Sequence, residues 1–107
     1  PAAKVTSAPM AEYRFTAELW RWQGNAAWHF ITVPFDVADE IEEATHGRTG
    51  GFGSVKVAVT VGSTSWSTSL FPDNKVESYL LPVKAEVRRR EHLEAGSPVH
   101  VRLAIVE

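Results

Sequence analysis

"LPVKAEVRRREHLEAGSPVHV", residues 81–101, carries the pattern that decides the fold. Extended chain runs into Pro82. A short helix is expected from Lys84 to His92, and it bears Arg88, Arg89 and Arg90. A turn at Gly96 then opens a strand in which Val99, Val101, Leu103 and Ile105 share one face. Proline suits such a boundary: it lacks the N–H that a ladder needs, and it biases the preceding residue toward extended backbone. The same order of parts occurs earlier in the chain. "ITVPFDVADEI" (31–41) answers "YLLPVKAEVRR" (79–89), and "GSVKVAV" (53–59) answers "GSPVHVRL" (96–103).

The remaining elements fall into place around these two copies. Tyr13, Phe15, Ala17 and Leu19 alternate with Glu12, Arg14, Thr16 and Glu18, so a half-buried strand is predicted over 12–22. Gly24 and Asn25 mark a hairpin turn, and a second strand, Ala26 to Val33, ends at Pro34. Asp36 is expected to cap a helix over Val37–Ala44, with Asp39 and Glu40 at its positive end. The Gly-rich run "HGRTGGFG" (46–53) ends that helix. In "SVKVAVTV" (54–61), Val55, Val57, Val59 and Val61 form one apolar face. "GST" (62–64) turns the chain into a strand over Thr64–Phe71, and "PDN" (72–74) turns it into another over Val76–Leu81.

The order is β-β-α-β, twice, which reads as an internal duplication. Neither half closes a sheet by itself. Interleaved about a pseudo-twofold axis, the six strands close a small barrel and remove exposed edges, with the helices capping its ends. The fold class expected is therefore all-β: a six-stranded closed barrel with two short helices.

Composition narrows the function. The 107 residues make one domain, with 44% hydrophobic residues, a net charge of -2 and no cysteine. Without cysteine there are no disulfides, thiolate metal sites or thiol nucleophiles, which fits a cytoplasmic protein. No apolar run approaches the length of a membrane span. "PAAKVTSAP" (1–9) lacks the apolar core of a signal peptide, so residues 1–10 are expected to be a flexible leader and 11–107 a single barrel domain.

Two resemblances follow from these motifs. The Pro–helix–Gly–strand halves resemble the swapped-hairpin barrels of bacterial transcription regulators and antitoxins, in which two chains each supply one β-β-α-β half. More closely, "FTAEL" (15–19), "GGFGSVKV" (50–57), "TSLFPD" (68–73) and "LLPVKAEVR" (80–88) are similar to a bacterial family of short barrels catalogued as a domain of unknown function. Its members stand alone or precede a small helical domain of the bacteriocin-protection type. That resemblance covers Tyr13 to Val106 and implies a barrel, with no established activity.

Most motifs carry no chemistry of their own. The Arg88–Arg90 run invites nucleic acid, but its counterpart helix, "DVADEIEEA" (36–44), is strongly acidic and would repel phosphates. "GRTGGFGSV" (47–55) opens a strand rather than a helix, so it is not a phosphate loop. His29, His46, His92 and His100 lack metal-ligand spacing, and no nucleophile elbow or triad pattern is present. No metal, cofactor or catalytic residue is expected.

"STSWSTSLFPD" (63–73) is unusually rich in hydroxyls for a barrel wall. Lys84 starts the second helix, and Arg88 lies one turn on along the same face. In the family resembled, a Lys and an Arg at these places recur with the "TSLFPD" strand and the Gly-rich loop. Carried over, the candidate site is Lys84, Arg88, Arg48, Thr68 and Ser69, with Trp66 as a wall, and its ligand is a small carboxylate or phosphate. The structural alternative pairs Lys84 and Arg88 with Asp36 or Asp73. The other tryptophans read as core or rim packing. The preferred function is a monomeric binding or interaction module. The alternatives are a DNA-binding regulator and, less favoured, a small enzyme with a Lys/Arg site.

Overall fold

A computed structural model describes residues 12–24, 28–45, 53–73, 75 and 77–106. The expected leader and most of the Gly-rich run lie outside these residues. The elements are β1 (Glu12–Arg21), β2 (His29–Thr32), α1 (Phe35–Thr45), β3 (Val55–Val61), β4 (Thr64–Asp73), β5 (Ser78–Pro82), α2 (Ala85–Arg90) and β6 (Pro98–Ile105). The expected β-β-α-β order, twice over, is observed.

The strands hydrogen-bond in the order β1-β2-β5-β4-β3-β6, and β6 returns to β1 to close the barrel. Every neighbouring pair is antiparallel. Exchanging β1, β2 and β3 for β4, β5 and β6 leaves this circular order unchanged. Strand alternation sets the two faces. Leu19, Ile31 and Leu81 form one fully buried row across β1, β2 and β5. The four valines of β3 join Leu70, Val99, Val101 and Leu103 in the same core. Tyr13, Phe15 and Ala17 of β1, partly buried, pack against it.

The boundaries depart from expectation where a local hydrogen bond outweighs residue type. The first helix begins at Phe35, because the Pro34 carbonyl accepts the Ala38 N–H at 2.8 Å and so acts as the N-cap. Asp36 sits inside the first turn instead, still at the positive end of the helix, with Oδ1 accepting the Val37 N–H. β4 continues through Pro72 to Asp73, past the expected turn. Its pairing with β3 stops at Val55↔Leu70, so Pro72 sits where only β5 is alongside and its missing N–H is tolerated. β2 starts at His29; residues 25–27, including the expected turn residue Asn25, lie outside the description.

α2 is shorter than expected, with Lys84 as its N-cap and Glu91 as its C-cap. His92, at φ 56, takes the left-handed position usually given to glycine. Leu93 N–H bonds the Arg88 carbonyl and His92 N–H the Arg89 carbonyl, which ends the helix before Gly96 is reached. α1 buries Ala38, Ile41 and Thr45 against the barrel, and α2 buries Val87. Among the described residues no helix is long and apolar enough to cross a membrane.

Candidate functional site

The residues expected to form one site divide among several places. Lys84 and Trp66 do line one cleft, of about 70 Å³, also walled by Ser65, Glu86 and Arg90. Arg88 points elsewhere: its Nε donates to the Val83 carbonyl at 3.2 Å. Thr68 and Ser69 are consecutive on a strand, so they face opposite ways. Thr68 pairs with Val57 on the inward side, and Ser69 pairs with Lys56 on the outer side. Neither lines the Lys84 cleft. Arg48 lies outside the described residues.

Ser65 and Arg90, which the sequence reading did not select, take the places beside Lys84. Glu86 brings a carboxylate into the same cleft and pairs with Arg90 at 3.5 Å, one helical turn away. Next to the cleft, Glu91 Oε2 accepts hydrogen bonds from Thr64 Oγ1 at 2.5 Å and Ser63 Oγ at 3.5 Å. The β3–β4 turn is thereby fastened to the end of α2.

A second region stands out on the outer side of β1, β2, β5 and β4. Cross-strand pairing puts Trp20, Phe30 and Pro82 in one row and Thr32, Leu80 and Phe71 in the next. Trp22 and Trp28 extend this stripe at the hairpin end, where Trp22 N–H bonds the Trp28 carbonyl. The rings interlock: Trp20 lies 5.4 Å from Phe30, and Trp28 stands at 89° to Phe30 with centroids 6.5 Å apart. Trp20 Nε1 is satisfied by Thr32 Oγ1 at 2.9 Å. Between these rings runs a groove of about 260 Å³ walled by Trp28, His29, Phe30, Phe71, Pro82 and Val83. Among the described residues, no carboxylate, ammonium or guanidinium is in its wall. Trp28 is 55% exposed and Phe71 46%. The signal for this face was in the sequence: Trp20 and Trp22 have the opposite parity to Leu19, which places them outside the barrel.

A further cavity, of about 400 Å³, lies between α1 and the β4–β5 turn. Asp39, Glu42, Asp73 and Glu77 line it together with Phe35 and Tyr79. Among the described residues no group of three or more His, Cys, Asp or Glu side chains is placed to hold a metal ion. Burial pushes the Tyr79 phenol up; a hydrogen bond with Thr45 opposes this and the Glu42 charge adds to it. Tyr13 is likewise raised by burial, then by Glu40. The chain has two tyrosines, so both phenols titrate late. Folding therefore favours the protonated phenols. This contribution is complete below the ordinary value of 10.0 and is lost as pH rises through the raised folded values. Absorbance at the tyrosinate band should show a native midpoint above that of the urea-unfolded chain; coincident midpoints would contradict this.

The sequence profile of the family described as a domain of unknown function, DUF1905, matches residues 15–103. The chain belongs to this family. The match runs from Phe15 in β1 to Leu103 in β6, so it takes in most of both strands of this DUF1905 domain and every element between them. Both the aromatic groove and the Lys84 cleft lie inside the matched span. No curated protein matches the chain. The family description assigns no activity, so the function of this DUF1905 domain has to be argued from its surfaces.

Proposed function

We propose that this DUF1905 domain is a non-enzymatic interaction module that docks an apolar segment of a partner protein on its aromatic stripe. The observation that carries this reading is a mostly apolar, ring-walled groove on the outside of a barrel whose core is already complete inside. Exposed apolar patches of this kind mark interaction sites. The stripe runs from Trp22 to Phe71, broader than a single small ring would cover. The barrel is closed, so a partner has no free edge to extend by strand addition and must bind through side chains. The mostly apolar wall selects an apolar segment.

The test follows tryptophan emission while short peptides are added, one set rich in Leu, Phe and Pro and one polar. The apolar peptides are expected to shift the emission and the polar ones to leave it unchanged. Trp28→Ala and Phe71→Ala should each cost about 2 kcal/mol of binding, roughly thirtyfold in affinity. Because both side chains are about half exposed and lie outside the core, folding stability should fall by less than about 1 kcal/mol. Binding of free ring compounds without peptides, or a dimer that Trp28→Ala dissolves, would replace the partner-protein reading with a ligand site or self-association.

A second reading keeps a small anion at Lys84. What favours it is that Lys84 and Trp66, remote in sequence, wall one cleft with Arg90 and Ser65. Glu86 in the same cleft weighs against it. Nucleic-acid binding has less support, since the acidic α1 side chains would oppose phosphates. We read the module as monomeric and, from its lack of cysteine, cytoplasmic. The interchangeable strand order supports an internal duplication, and the quoted motifs support a bacterial source.

A further inference from the structure

We propose a second ligand site, independent of the aromatic groove: a phosphate-binding face on the outer side of β1 and β6. The two strands place Arg14 directly opposite Arg102, and Thr16 directly opposite His100. Like charges in direct cross-strand register destabilise a sheet, so this pairing has to be offset by something. Glu12 supplies part of the offset, through Oε1 at 3.8 Å from Arg14 Nη2 and Oε2 at 3.4 Å from Arg102 Nε. These contacts are exposed, and such pairs contribute about 0–1 kcal/mol.

The two arginines share a concavity of about 380 Å³ with Phe15, Thr16, His100 and Val101, and among the described residues no carboxylate lines it. His100 Nδ1 is engaged by Thr16 Oγ1 at 2.6 Å, which holds the ring beside the two arginines. On the far side of Arg102, Thr60 lies in register with it and shares a hydrogen bond with Ser65 at 2.9 Å. The acids on the β1 outer face are Glu12, described above, and Glu18, opposite Pro98 beyond the Thr16–His100 pair. Two guanidinium groups converging on one concavity match the tetrahedral oxygens of a phosphate dianion, which accepts paired N–H donors.

The full chain is titrated in phosphate-free buffer with inorganic phosphate, with glycerol 3-phosphate and with a short DNA duplex. The readouts are the His100 ring resonances and the thermal midpoint. Inorganic phosphate or the monoester is expected to bind with a Kd of about 1 mM, shift the His100 resonances and raise the midpoint. The tighter of the two identifies free phosphate or a phosphorylated metabolite as the source. Arg14→Gln and Arg102→Gln should each weaken binding about tenfold or more. In phosphate-free buffer the same substitutions should leave the midpoint unchanged or raise it, because they remove a like-charge contact. A lowered midpoint with no phosphate response would make the arginines a structural pair bridged by Glu12 and overturn the proposal. Binding of the duplex without either small phosphate would also overturn it.

Discussion

Leu81→Ala is expected to destabilise the domain by about 2–5 kcal/mol, the largest loss of any single substitution considered for this barrel. Leu81 is fully buried and stands in register with Ile31, which in turn faces Leu19. This row ties β1, β2 and β5 together where the barrel wall is shortest, since β2 has four residues. Closed packing leaves neighbours little room to fill the lost volume, so a cavity adds to the lost transfer energy. The neighbouring Phe71 is a control: it lies beside β5 on the outer face and is half exposed. Urea unfolding of Leu81→Ala and Phe71→Ala measures the contrast. A loss below about 1 kcal/mol at Leu81 would mean that the row does not close the barrel.

The second large effect is expected where α2 meets the β3–β4 turn. Glu91→Ala removes a charged acceptor from Thr64, which is nearly buried, and should cost about 1.5–3 kcal/mol. Gly62 explains why the turn fits. Its φ is 59, a conformation that costs a residue with a Cβ about 1–2 kcal/mol. A Cβ there would also run into the Glu91 carboxylate. Gly62→Ala should therefore break the Thr64–Glu91 bond as well as strain the turn. The double variant is expected to lose less than the sum of the singles, because each disrupts the same contact. Strict additivity in a double-mutant cycle would show that the turn and the helix are not coupled.

The barrel was legible because its strands alternate strongly. The valines of β3 and the Val99–Val101–Leu103 run of β6 announce one buried face each, and all are buried. Helix ends were less legible, because a backbone carbonyl at Pro34 and a left-handed His92 do work that sequence rules assign to Asp and Gly. The candidate site was legible only in pieces. Lys84 with Trp66 survives as a pair, whereas adjacent Thr68 and Ser69 are parted by the pleat. The aromatic stripe could have been read from the parity of Trp20 and Trp22. Its completion by Phe71 and Pro82 depends on β5 lying between β2 and β4, which no local pattern states. The Arg14–Arg102 pair is similar: it joins the two ends of the chain and exists because β6 closes on β1.

Amide and indole shift mapping of the labelled domain with an apolar peptide tests the proposed function most directly. The expected result is a contiguous set of perturbed resonances over Trp22, Trp28, Phe30, Phe71 and Val83, with the Trp28 indole N–H among the largest. The core row and the outer faces of β3 and β6 should stay unmoved. Perturbations centred on Lys84 and Arg90, or on Arg14 and Arg102, with none on the aromatic stripe, would contradict the account.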